Sequence, residues 1–114
     1  MKVDIETLTE YLADRYESWA NEQGLFMKLV EEVGETAEIL NMRAGRKATD
    51  GRDLQLELGT ELGDMIHYIV AIAAINGIDL NSIIVEKDRR ASVKYDHTVN
   101  LEQFAERKAS GKAD

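Results

Sequence analysis

Two short acidic patterns carry the strongest chemical signal in this sequence. Glu32-Val33-Gly34-Glu35, preceded by Glu31, and Glu61-Leu62-Gly63-Asp64 each place two carboxylates three residues apart. On a helix that spacing sets both acids on one face, about a turn apart, where like charges repel. A divalent cation between them turns the repulsion into attraction. A donor set made only of oxygens favours a hard cation, Mg²⁺ or Mn²⁺, over zinc. Carboxylates projecting between the helices of a bundle are an established way to build such a site.

The angular position of each pair follows from about 100° of rotation per helical residue. With Glu32 as origin, Phe26, Leu29, Val33 and Leu40 lie at about +60° to +120° and Glu35 at about −60°. With Glu61 as origin, Leu58, Leu62, Ile69 and Ala73 lie at about +60° to +120° and Asp64 at about −60°. Each pair therefore flanks its own apolar stripe on the same rotational side. In antiparallel helices joined as a hairpin, that edge faces one groove. The midpoint between the pairs falls near Ala48, in the connecting segment, so both sit at similar depth. The expectation is that Glu32, Glu35, Glu61 and Asp64 converge beside a hydrophobic seam and bind metal. Gly34 and Gly63 sit inside the pairs, and a mid-helix glycine costs about 1 kcal/mol relative to alanine. Their placement suggests close helix approach or room for substrate.

The elements that must position these acids are helical. Ile5, Leu8, Leu12, Tyr16 and Trp19 recur at helical spacing and predict a first helix from about Asp4 to Ala20, capped by Asp4 or Thr7. Asn21 to Gly24 reads as a break. A second helix is expected from about Leu25 to Arg43, then a polar loop from Ala44 to Gly51 containing Arg46 and Lys47. A third helix is expected from Asp53 to Asn76, ended by Gly77. Asp79 or Asn81 can cap a fourth reaching about Val93, and Thr98 or Asn100 a fifth ending near Lys108. The third helix is apolar over a wide arc and needs neighbours on more than one side. The fold class expected is all-α, an antiparallel bundle completed by oligomerisation as a homodimer or homotetramer. Residues 1–108 are read as one domain and 109–114 as a frayed tail.

Composition narrows the function. The 114 residues include no proline and no cysteine, with 44% apolar and 32% charged residues. Without cysteine there are no disulfides or thiolate metal sites, which suits a reducing, cytoplasmic setting. A net charge of −8 opposes a general nucleic-acid surface. The first residues carry no apolar signal segment, and Met65 to Ile75 reads as too short to span a bilayer, so no membrane partner is expected.

Lys28-Leu29-Val30-Glu31-Glu32-Val33-Gly34-Glu35 followed by Glu61-Leu62-Gly63-Asp64 resembles the signature of the MazG-like all-α nucleotide pyrophosphatases. Ile75-Asn76-Gly77-Ile78-Asp79-Leu80, then Lys87 and Lys94-Tyr95, is similar to that family's next segment. The resemblance spans about Leu25 to Tyr95. It implies Mg²⁺-dependent hydrolysis of a (d)NTP to the monophosphate and pyrophosphate, with Glu32, Glu35, Glu61 and Asp64 as ligands. It also implies that Glu31, or one of the ligands, orients or deprotonates the attacking water. Lys87 and Lys94 are favoured by it as phosphate contacts. Where the family often has Asn between the downstream Lys and the basic-Tyr pair, Ala91 stands here.

Lys28 lies one turn before Glu32 and can reach a phosphate or pair with Glu31 or Glu32. Trp19 can stack on a base. His67 falls at about −120° from Glu61, away from the acids, and reads as a surface or interface histidine. Two rival readings share these features. One is a phosphoribosyl-ATP pyrophosphatase, whose acid pattern is similar. The other is a non-catalytic helical interaction module with a structural metal site.

Overall fold

Helix formation begins at side chains that accept from otherwise unpaired backbone N–H groups. In the computed structural model, which describes residues 1–45 and 49–111, Asp4 accepts from the Thr7 amide at 2.7 Å and starts α1, Ile5–Arg15. Asp53 accepts from the Leu56 amide and starts α3, Leu54–Ile75. Between them lie a 3₁₀ turn, Trp19–Asn21, and α2, Glu22–Arg43. Asp79 caps α4, Leu80–Lys94, through the Ser82 amide. Asn100 and Gln103 form a reciprocal capping box at the start of α5, Leu101–Ala109. All the elements among the described residues are helical, as expected.

Two boundaries differ from the sequence expectation. Helix α1 ends at Arg15 rather than near Ala20, because Tyr16 turns extended (φ −114°, ψ 90°) while its amide still donates to the Leu12 carbonyl. Helix α2 starts at Glu22, so Gly24 lies within its first turn instead of in a break. The end of α3 is as read. Gly77 takes φ 64°, and the Ile78 amide donates to the Ala73 carbonyl at 2.9 Å, satisfying an end carbonyl. Arg46 and Lys47, and residues 112–114 of the expected tail, lie outside the described residues.

The chain divides into two compact units, Met1–Ile78 and Asp79–Asp114. In the first, α2 and α3 run antiparallel and pack along their length, and α1 packs on α3. The pairing is fixed by contacts at both ends: Asn76 donates to the Glu22 carboxylate at 2.7 Å, and Arg52 reaches Met42 Sδ at 3.4 Å. Midway, the Thr36 hydroxyl approaches Met65 Sδ at 3.5 Å. The core comprises Leu12, Leu25, Ile39, Met42, Val70, Ala71 and Ala73. The Met65–Ile75 stretch belongs to a 22-residue helix that is, by length and composition alone, long enough to cross a membrane. The apolar stretch itself covers only the second half of that helix, and α3 carries Glu57, Glu61 and Asp64 and packs on two neighbours. In the second unit α4 packs on α5, joined by Arg89 pairing with Glu102 and by the Leu101 amide donating to Asp88 at 2.7 Å.

The α2–α3 seam is rotated from its expected place. Of the buried residues of α2, Leu25, Thr36 and Ile39 lie within about 40° of Glu32 and Met42 at about −80°. Phe26, Val30, Val33 and Leu40, at about +80° to +160°, are about half exposed. On α3, Leu62, Ile66 and Ile69 are likewise exposed. Glu32 and Glu61 therefore lie in the seam, while much of the stripe expected to form it faces outward, Ala73 being a buried exception.

Candidate metal centre

Glu32 projects from the inward face of α2 and Glu61 from the facing side of α3, and both are half-buried. One carboxylate oxygen from each of Glu32, Glu61 and Asp64 lies within 4.8 Å of the others. Thr36 fixes the local backbone by donating its hydroxyl to the Glu32 carbonyl at 2.8 Å. Glu35 is exposed on α2 but close enough to act on Glu61.

The electrostatics of this cluster are unfavourable as it stands. Glu32 Oε2 and Glu61 Oε2 are buried and receive no hydrogen bond. Both are acceptors when ionised, so they can bond each other only by sharing a proton. The Glu61 carboxyl is pushed up to about 8, first by its hydrogen bond with Glu32, then by desolvation and by Glu35. A buried acceptor without a donor is costly, and a cation satisfies it as well as a proton does. The donor set is entirely carboxylate oxygen, supplied by facing helices, and it fits a hard divalent cation.

The glycines inside the acid pairs are placed differently from either expectation. Gly34 and Gly63 lie about 200° from Glu32 and Glu61, almost opposite the acids. A Cβ on either would meet nothing within 4 Å. Close helix approach within the chain does not require them, and they leave no room beside the carboxylates.

The remaining expected site residues occupy distinct environments. Glu31 is exposed and paired with Lys28 at 3.4 Å, both on the surface of α2. Lys28 also lines a pocket of about 430 Å³ with Tyr16, Asn21, Gly24, Leu25 and Tyr68. Trp19 is 72% exposed at the start of the 3₁₀ turn. In the second unit, Lys87 and Lys94 line a separate pocket of about 620 Å³ together with Arg90, Ala91 and Tyr95. The Lys94 ammonium lies 5.3 Å from the Tyr95 ring centroid, a cation–π contact. Ala91, the departure noted in the sequence, thus lines the same pocket as the two lysines. His67 bonds the Tyr16 hydroxyl through Nε2 at 2.9 Å and makes edge contacts with both Tyr16 and Tyr68. Sequence reasoning treated Tyr16 as part of an apolar stripe and passed over Tyr68. Tyr68 sits one turn after Asp64, about −20° from Glu61, and that register was the available signal.

The model of the MazG nucleotide pyrophosphohydrolase domain matches residues 20–94, more than half of the chain. The matched span contains all four acids, Lys28, Lys87 and Lys94. No curated protein and no solved structure matches this chain.

Proposed function

The chain belongs to the MazG nucleotide pyrophosphohydrolase family, and from that premise we propose that it hydrolyses a nucleoside triphosphate between the α and β phosphates, using Mg²⁺ (or Mn²⁺) held by Glu32, Glu35, Glu61 and Asp64. The observation that carries this reading is the meeting of carboxylates from two helices in one seam, with two buried oxygens lacking any donor. When bound, the cation would neutralise phosphate charge and polarise the phosphoryl group under attack.

The protein's own part is positioning. A chain of net charge −8 repels a polyphosphate, and the clustered acids repel it most strongly until they are neutralised. Glu32 and Glu61 are held by packed helices, so the ligand set is assembled before substrate arrives. Such preorganisation supplies most of the catalysis in phosphoryl transfer. Glu31, next to the cluster in sequence and free of the seam, is the candidate to orient the attacking water or take its proton. Lys28 supplies positive charge for phosphate oxygens, Trp19 offers an exposed ring for the base, and in the other unit the family resemblance favours Lys87 and Lys94 as phosphate contacts. The absence of cysteine suits a cytoplasmic nucleotide pool.

The test is a panel of NTPs, dNTPs and phosphoribosyl-ATP incubated with Mg²⁺, with the products identified. Monophosphate and pyrophosphate are expected, with release abolished by EDTA and in Glu35→Gln and Asp64→Asn, each retaining its helicity. Preference for phosphoribosyl-ATP would move the chain to that substrate. No release from any member of the panel would leave a metal-bound interaction module.

A further inference from the structure

The pocket bounded by Tyr16 and Tyr68 has a chemistry that the metal centre does not use. Its lining residues are the two tyrosines, Leu25, Asn21, Gly24 and Lys28, the Lys28 ammonium being paired with Glu31. Asn21 makes no capping bond to α2. Two aromatic walls with one amide and one cation suit a planar heteroaromatic ring that carries polar edges and an anionic substituent.

Register places this pocket next to the acids. Lys28 lies one turn before Glu32 on α2, and Tyr68 one turn after Asp64 on α3. Because the helices are antiparallel, both steps run the same way along the seam, about 6 Å from the carboxylates. A sugar bridges the α-phosphate and the base of a nucleotide, and one helical turn is a step of that size.

Tyr16 is a wall of this pocket only because something outside α1 holds it. Its backbone has left the helix, and its hydroxyl is bonded to His67 Nε2 at 2.9 Å, with the rings edge to face at 5.8 Å. His67 also sits edge to face against Tyr68 at 5.1 Å. One imidazole on α3 therefore braces both aromatic walls.

We propose that this pocket receives the base and sugar of the nucleotide whose phosphates meet the acid cluster, and that His67 is the positioning residue that sets its aromatic walls. The proposal rests on the nucleotide reading above and assigns stacking to Tyr16 and Tyr68 in place of Trp19, which does not line this pocket.

The test uses the full chain in EDTA, titrated with the five common nucleosides, which carry no phosphate for the acids to repel, and followed by amide NMR shifts. At least one base is expected to perturb Asn21, Gly24, Lys28 and Tyr68. Affinity is expected to fall roughly tenfold in Tyr16→Ala and Tyr68→Ala, the scale of one lost base–aromatic stack. His67→Ala should weaken binding, and His67→Gln, which can still bond the Tyr16 hydroxyl, should restore it. Gly24→Val covers the case in which the tyrosine variants fail to fold. A Cβ at Gly24 meets nothing within 4 Å, so this variant, with its helicity verified by circular dichroism, narrows the pocket and should also weaken binding. Shifts that map elsewhere, no shifts with any base, or unchanged affinity in Gly24→Val and Tyr68→Ala would overturn the proposal. Glu61→Gln separates the two readings, since it should lose hydrolysis and keep this binding. Binding without any Mg²⁺-dependent hydrolysis in the wild type would uphold the pocket and sink the pyrophosphohydrolase reading.

Discussion

Glu61 shares its space with the Glu32, Glu35 and Asp64 carboxylates, while the one nearby cation on α2, Lys28, is paired with Glu31 at the surface. Its carboxyl is raised from an ordinary 4.5 to about 8. In the metal-free protein the folded state therefore binds this proton more tightly than the unfolded chain. The resulting stabilisation is complete below about 4.5 and lost as pH climbs through about 8. Melting in EDTA should show a falling transition temperature from about pH 6 to about pH 9, and Glu61→Gln should flatten that fall. The cation competes with the same proton, so calorimetric Mg²⁺ affinity should rise across this range in the wild type, with proton release. Affinity independent of pH would mean that Glu61 is not a ligand. Asp4 and Asp79 work in the opposite direction. Each is held below its usual range by bonds to Thr7 and Ser82, so their contributions vanish on acidification.

At the scale of elements, the caps at Asp4, Asp79 and Asn100 were legible as one of two candidates each, because such side chains act on amides two or three residues away, whereas Asp53 reads as the first helical residue and is instead a cap. Replacing Asn100 with alanine removes the half of the α5 box in which its side chain accepts from the Gln103 amide, leaves the backbone N–H of residue 100 donating to Gln103, and should cost about 1 kcal/mol, read by thermal melting and by exchange of the α5 amides. Gly34→Ala and Gly63→Ala replace outward-facing mid-helix glycines and should each stabilise by about 1 kcal/mol in denaturant melts. A loss of stability accompanied by dissociation would instead place these glycines against a partner. The end of α1 was not legible, since Tyr16 answers to His67, 51 residues away, and local periodicity carries no record of such a contact. The rotation of the seam was hidden for a related reason. Helices α2 and α3 each have more apolar surface than one neighbour can cover, and a wheel shows the stripe without showing which face meets the partner helix. Glu32, Glu61 and Asp64 nonetheless lie together, with Glu35 exposed beside them.

On the molecular scale, one chain leaves a continuous amphipathic problem unsolved. Val33 is 47% exposed and Ile66 50%, within a run that includes Phe26, Leu40, Leu62 and Ile69. Exposed apolar stripes of this kind mark association sites. Self-association into a homodimer or homotetramer through α2 and α3 would bury them. Val33→Glu and Ile66→Glu should therefore shift sedimentation toward the monomer and lower the melting temperature. A wild-type chain that sediments as a monomer at all concentrations would contradict this. Self-association would add stability to a core that is small for a single chain. It would also close the outer side of helices whose inner side carries the carboxylates. The most direct measurement of that inner arrangement is anomalous diffraction from crystals of the protein soaked in Mn²⁺. An anomalous peak is expected between Glu32, Glu61 and Asp64, with Glu35 in reach of it. A chain that binds Mn²⁺ only elsewhere, or leaves these carboxylates without a peak at saturating metal, would contradict the assignment of this seam as the metal centre.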